Sequence, residues 1–262
     1  MRAAAGTRET LPRALARVTP VTTRFTGIPA EAFEFYEGLS ADNTKTWWTA
    51  HKHEYDAFVK EPLAALLAEL EDEFGTASLF RPYRDVRFSK DKTPYKDHQG
   101  GFVGAEDGMG WYVQVSRAGL FVAGGWYSGE GKQLQRWRDA VDSPNVATLQ
   151  QALATAKKCG LELGGDVMKT RPRGVPEDHP HLDLLRHRSV TVEKQLGIPS
   201  WAGTRTALTK VRGLWRAMTP LVEHRAACGR CYVRPMLEPE PLTGLDLRGR
   251  VAVVTGGGRD LG

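Results

Sequence analysis

The chain has 262 residues, of which 41% are hydrophobic, 26% charged and 9% aromatic, and its formal net charge is +5. These proportions are typical of a soluble globular protein and exclude the collagen-like, low-complexity and disulfide-framework classes. No stretch approaches the roughly 18 consecutive apolar residues of a membrane-spanning helix, so no membrane partner is predicted. Only three cysteines occur, Cys159, Cys228 and Cys231. This odd, low number favours a reducing, cytoplasmic location.

The positive charge is concentrated at the N-terminus. Residues 1–24 carry a net charge of +4, residues 236–262 carry −1, and the long middle part carries only +2. A domain so close to neutral gives no argument for nucleic-acid binding from charge alone. We expect residues 1–24 to be a disordered Arg/Ala-rich extension, and a transit peptide is the alternative interpretation of its composition.

Helical periodicity dominates the first part of the domain. Ser40 and Asn43 are placed to cap a long helical segment, which runs over residues 46–75. Within this segment Pro62 predicts a kink or a fresh first turn, and Gly75 predicts the end.

Short stretches rich in β-branched and aromatic residues follow, and the connections between them are too short for parallel crossovers. The predicted strands are 79–88, 100–105, 110–117, 119–127 and 189–196. The predicted later helices are 129–142, 146–158 and 204–227. The sequence therefore predicts an α+β fold with N-terminal helices, a central and mainly antiparallel sheet and C-terminal helices. We expect a single domain over residues 25–235 with flexible ends.

One charged window, residues 84–98, contains five lysines and arginines and three aspartates. Pro94 forbids a long helix, so Ser89–Lys96 is predicted to be a loop that leaves a strand end. Hydroxyls, cations and a phenol in one constrained loop suit an anion, since each charge-assisted hydrogen bond contributes roughly 1.5–3 kcal/mol. The alternative is a solvated turn in which Asp85 and Asp91 form salt bridges to their cationic neighbours.

A second basic cluster, residues 169–174, has a similar composition. We expect both loops to line one cleft that binds a phosphate-bearing or otherwise anionic small molecule. The candidate ligand-binding residues are Arg84, Arg87, Ser89, Lys90, Lys92, Thr93, Tyr95, Lys96, Lys169, Arg171 and Arg173. The sequence identifies no catalytic residue, leaves open whether the domain is an enzyme, and predicts neither a cofactor nor a metal.

The alternative function is a non-catalytic interaction module that meets a protein or a nucleic acid through residues 84–98. Aromatic residues such as Phe88 and Tyr95 lie among the cations of this window, as stacking on bases would require. The charge of only +2 over residues 25–235 favours a small ligand over a nucleic acid.

The run Arg-Phe-Ser-Lys-Asp-Lys-Thr-Pro-Tyr-Lys at residues 87–96 resembles the signature of a known domain family. The family is widespread, mainly bacterial, of unknown function, and catalogued as conserved hypothetical proteins. Further matches, in chain order, are Asn43…Trp47…His51…Tyr55 with Pro62, Gly124-Gly125-Trp126-Tyr127 with Leu134 and Arg138, and Lys169…Pro172-Arg173-Gly174 with His179-Pro180. The resemblance covers roughly residues 25–235. It implies a shared scaffold and brings no activity with it.

Two other motifs give weaker indications of function. Ser89 and Lys92 match S-x-x-K, but Pro94 and the surrounding charges disfavour a Ser–Lys acyl-transfer site. The pair Cys228 and Cys231 closes a helix and has no second ligand pair nearby, which disfavours zinc.

Two further features give expectations of their own. Trp47 and Trp48 are adjacent, so we expect one in the core and the other exposed or at a cleft. The tail, residues 245–262, resembles the opening of a short-chain dehydrogenase. The helix whose N-terminus would bind the phosphates does not follow, so we expect a fusion remnant and no dinucleotide site.

Overall fold

The computed structural model of the protein describes residues 16–17, 24–87, 91–106, 108–127, 131–144 and 146–223, all within a compact unit that spans residues 1–229. Helices and an antiparallel sheet in this unit confirm the predicted α+β class. None of the helices in the described ranges is long and apolar enough to cross a membrane. The Cys228–Cys231 motif, the tail from residue 236 and most of residues 1–24 lie outside the described residues.

Helices precede the main strands, and their bounds follow from local signals. These elements are α1 (Glu31–Ala41), α2 (Lys45–Glu54), a π-helical turn (Tyr55–Lys60), α3 (Glu61–Ala68) and α4 (Glu71–Phe74). Pro62 is the second residue of α3, as predicted for a first turn, and α3 follows the π-helical turn without a break. Thr44 caps α2 in place of the predicted Ser40 or Asn43, because its hydroxyl accepts the N–H of Trp47 at 3.2 Å.

The described strands form one sheet in which every neighbouring pair is antiparallel. They are β1 (Ala16–Arg17), β2 (Ala77–Leu79), β3 (His98–Glu106), β4 (Met109–Ser116), β5 (Gly119–Trp126), β6 (Glu162–Gly164) and β7 (Val190–Gly197). Their order across the sheet is β1-β2-β3-β4-β5-β7-β6. The meander β3–β4–β5 and the later strand β7 confirm the predicted pattern. Strand β1 comes from the segment expected to be disordered.

The strand predicted at 79–88 is wrong. Strand β2 ends at Leu79, the N–H of Phe80 makes one more bond to Gly100, and Pro82 follows two residues after Phe80. A proline has no N–H for a ladder, so the alternation of Val86 with charged residues does not produce a strand. Strand β6 was not predicted from the sequence, because three residues are too few to show a periodic pattern.

The C-terminal helices complete the core. They are α5 (Lys132–Val141), α6 (Val146–Lys158), α7 (Leu182–Leu185) and α8 (Thr206–Val222). Trp215 of α8 is fully buried, and its carbonyl accepts the indole N–H of Trp111 at 3.1 Å. A Cβ added to Gly124 of β5 would lie 2.9 Å from Sδ of Met218, so this glycine lets α8 approach the sheet closely. One face of β4 and β5 therefore packs against the helices.

Candidate functional site

The first basic window lies in a loop, residues 80–97, that joins β2 to β3. An isolated bridge pairs Tyr83 with Tyr95, and the N–H of Arg84 donates to the carbonyl of Pro94 at 2.9 Å. The two arms of the loop thus run side by side. Pro94 has no N–H with which to extend the ladder, and residues 91–96 form no regular element, as predicted for this part of the loop.

Two arginines of this loop, Arg84 and Arg87, are paired with its acids. Arg87 donates to both oxygens of Asp85, at 2.9 and 2.7 Å, and these bonds lower the pKa of Asp85 to about 2. Arg84 pairs with Asp91, whose pKa is lowered by hydrogen bonds from Thr93 and then from Arg84. These contacts confirm the predicted salt bridges. The side chain of Arg87 is 77% exposed, so it lies at the surface.

The two described lysines of the loop, Lys92 and Lys96, contact the loop itself or its base. The Nζ of Lys92 donates to the carbonyl of Val86 at 2.9 Å. The Nζ of Lys96 lies 5.2 Å from the centroid of the Phe80 ring, which is a cation–π distance. Much of the positive charge in this window is therefore already engaged by neighbouring groups.

Tyr95 anchors the loop to the N-terminal helices. Its ring is buried and stacks on Trp48 with 4.2 Å between ring centroids. The amide of Asn43 donates to the carbonyl of Tyr95 at 3.0 Å, and the N–H of Tyr95 donates to Asn43 at 3.1 Å. Burial raises the pKa of the Tyr95 phenol. Trp48 is the buried member of the tryptophan pair and Trp47 is half-buried, as expected for adjacent residues.

The second basic cluster lies in the loop that joins β6 to β7, residues 165–189. Arg171 forms an ion pair with Glu177 at 3.4 Å. Lys169 and Arg173 are exposed, and neither forms an ion pair with any acid in the described ranges. Two cations of the second loop are therefore not neutralised by an acid of the described residues.

Two arginines that sequence reasoning did not assign to the site contact Met168 of this second loop, Arg186 from within the loop and Arg138 from α5. Arg186 donates to the carbonyls of Met168 and Lys169 at 2.9 and 3.0 Å. Arg138 of α5 reaches Sδ of Met168 at 3.6 Å, and its Nε is buried without a hydrogen-bond partner. Neither arginine forms an ion pair within the described part of the chain. We call Arg138, Lys169 and Arg186 the Arg138 cluster.

The two basic loops leave the sheet at opposite ends. The first loop enters β3 at His98, which pairs with Ser116 of β4. The second loop leaves β6 at Gly164. Across the paired strands, the residue of β4 that is level with Gly164 is Gly110. At ~3.3 Å per residue and ~4.8 Å per strand spacing, the two points lie roughly 28 Å apart along the sheet. The sheet therefore does not by itself bring the two loops together, and the single cleft built from both loops stays a prediction.

Two of the predicted site residues, Ser89 and Lys90, lie outside the described residues. Of the two arginines that sequence reasoning missed, Arg138 could have been found from the sequence, because it matches the family pattern together with Leu134. No sequence feature pointed to Arg186, because a single arginine beside a short helix is ordinary surface composition.

The sequence pattern of the family described as "Conserved hypothetical protein (DUF2461)" matches residues 31–224, which covers α1 to α8. The chain belongs to this family. The match confirms the resemblance to a family of unknown function, and the DUF2461 region includes both basic loops, the Asn43–Tyr95 anchor and the Arg138 cluster. No curated protein and no solved structure matches the chain.

Proposed function

We propose that the protein binds a small molecule with a phosphate or carboxylate group, and that the Arg138 cluster is the binding site. The observation that carries the proposal is the buried Nε of Arg138, which has no hydrogen-bond partner. A buried donor without a partner costs ~1–3 kcal/mol, and an anionic oxygen placed against it recovers that cost.

The first loop is the weaker site for the same ligand. Arg87 is already bonded to Asp85, so an anion would have to displace a carboxylate to reach it. Arg138 has no such competitor among the described acids. Two backbone carbonyls hold Arg186 in place. A cation whose position is fixed before binding loses less conformational freedom when the ligand arrives.

Thermal unfolding with inorganic phosphate and with succinate, at constant ionic strength, tests the proposal. An anion present at ten times its Kd adds about 1.4 kcal/mol of stability, which raises the Tm of a domain of this size by roughly 3–6 °C. We expect Arg138→Gln to abolish the increase. Arg117→Gln is the matched control, because Arg117 is an exposed arginine in the turn between β4 and β5.

Two results would reject this site. One is an unchanged Tm of the wild-type protein with both anions. The other is an increase that persists in Arg138→Gln. An increase that is lost instead in Arg87→Gln would move the binding site to the first loop.

A second candidate function is an interaction surface for a protein or nucleic acid on the first loop. The ring of Tyr83 is 55% exposed, which is unusual for a large aromatic residue, and it lies in the same loop as the exposed Arg87. Fluorescence anisotropy with a labelled single-stranded oligonucleotide tests the nucleic-acid form. Binding that is lost in Tyr83→Ala and retained in Arg138→Gln would select this function.

A further inference from the structure

A surface cavity of about 590 Å³ lies between α1 and the segment formed by α2 and the π-helical turn. From α1 it is lined by Glu31, Glu34 and Phe35, which share one stripe of the helix because they are three and four residues apart. From the opposite side it is lined by Trp47 and Glu54 of α2. This volume is within the range of small-molecule sites.

The aromatic wall of the cavity is held by close packing. The ring of Trp47 lies 5.3 Å from the ring of Phe35 and stacks on His51 with 4.0 Å between centroids. The Nδ1 of His51 lies 2.8 Å from the carbonyl of Trp47. A Cβ added to Gly38 would lie 2.7 Å from Cζ2 of Trp47, so only glycine leaves room for the indole. The wall is therefore formed before any ligand binds.

Three carboxylates and two histidines, His51 and His53, line the cavity, so with neutral histidines its charge is negative although the chain as a whole is positive. Glu31 and Glu34 are exposed and form no ion pair with any lysine or arginine of the described residues. Glu54 has His53 as its nearest cationic group, at 3.8 Å. Aromatic faces beside carboxylates attract an organic cation, since the ring quadrupole and the carboxylate charge act together.

The helix that bears the second wall is irregular at this point. The backbone between α2 and α3 forms a π-helical turn, Tyr55–Lys60, and Phe58 of this turn lines the cavity. A π-helical turn is costly in a helix and occurs frequently at functional sites. Here it continues the stripe begun by Trp47 and Glu54, which brings Phe58 to the same wall.

We propose that this cavity binds an organic cation, an alkylammonium group that carries an apolar substituent. The ammonium group lies among Glu31, Glu34 and Glu54, and the apolar part packs on Phe35, Trp47 and Phe58. The site is separate from the Arg138 cluster, so it stands or falls independently of the anion-binding proposal.

Isothermal titration with benzyltrimethylammonium chloride tests the inference, with benzyl alcohol as the neutral probe. We expect saturable binding of the cation only. The double variant Glu34→Gln/Glu54→Gln is expected to raise its Kd at least about fivefold. The matched control is Glu37→Gln, which removes the same charge from an exposed position of α1 that does not line the cavity.

A second measurement follows the Trp47 indole N–H resonance of the wild-type protein during the same titration, so the test does not depend on the variants folding. A shift of this resonance that saturates with the calorimetric Kd supports the site. The inference is overturned if the wild-type protein shows no saturable binding, if benzyl alcohol binds equally well, or if Glu37→Gln weakens binding as much as the double variant.

Discussion

Replacement of Asn43 by alanine should release the first basic loop from the helices. The Asn43 side chain makes two hydrogen bonds to the backbone of Tyr95, at 3.0 and 3.1 Å. Each neutral hydrogen bond contributes ~1 kcal/mol net, so Asn43→Ala should cost about 2 kcal/mol. The site is only partly buried, so water can reach the freed groups and the larger cost of buried unpaired groups does not apply. For a domain of this size the Tm should fall by about 4–8 °C.

Urea unfolding and amide hydrogen exchange at Tyr95 measure the effect. If the loop opens locally, the global stability can stay unchanged while exchange of the Tyr95 N–H accelerates about 30-fold, which corresponds to the same 2 kcal/mol. Asp42→Ala is the control, since Asp42 is exposed and its side chain has no partner in the described ranges. A stability within ~0.5 kcal/mol of wild type together with unchanged exchange would refute the role of Asn43.

Three further outcomes test the fold. A hydrogen bond from Arg205 lowers the pKa of Glu69 below its ordinary 4.5. The ionised carboxylate thus stabilises the fold above that pH, and the contribution is lost as the pH falls through the folded-state pKa. Urea midpoints across this range should depend less on pH in Arg205→Gln, and an unchanged acid limb would contradict the pairing. The hydroxyl of Tyr127 is buried without a partner, so Tyr127→Phe should leave thermal stability equal or higher by ~1 kcal/mol, whereas a clear loss would show that the hydroxyl is bonded. Gly119 has φ +94 and an added Cβ would lie 2.0 Å from a backbone oxygen, whereas Gly131 has φ +62 and open space. Gly119→Ala should therefore prevent soluble expression while Gly131→Ala costs only ~1–2 kcal/mol, and equal effects would argue against the close approach.

The sheet was predictable where its signals are local. In β4 the buried Trp111, Val113 and Val115 alternate with half-buried residues, and a turn that ends at Gly119 leads into β5. The failure at residues 79–88 has a physical reason. Pro82 lies inside this stretch and lacks the N–H that a ladder needs, and the alternation of Val86 with charged residues was given more weight than that missing donor.

The ionic contacts of the first loop were also predictable, because Arg87 and Asp85 are two residues apart and need no tertiary information to meet. The position of the second basic loop, residues 165–189, was not predictable, because it depends on the strand order β5-β7-β6. That order is a property of the whole sheet, and no single segment of the sequence encodes it. Arg138 and Arg186 are adjacent only after the helices pack, so their composition alone carried no signal.

The run at residues 87–96 led the sequence analysis to a ligand, yet its described side chains hold the loop together. Asp91 accepts from Thr93 and pairs with Arg84, Lys92 binds a carbonyl, and Tyr95 stacks on Trp48. Groups bonded to each other offer an incoming anion only an exchange of partners, and the net gain from an exchange in water is small. A donor that lacks a partner can bond to an anion without breaking a bond inside the protein, so the costs left are the desolvation and immobilisation of the anion. The density of cations in a sequence is therefore a poor guide to an anion site, and the pairing of those cations in the folded chain is the better one.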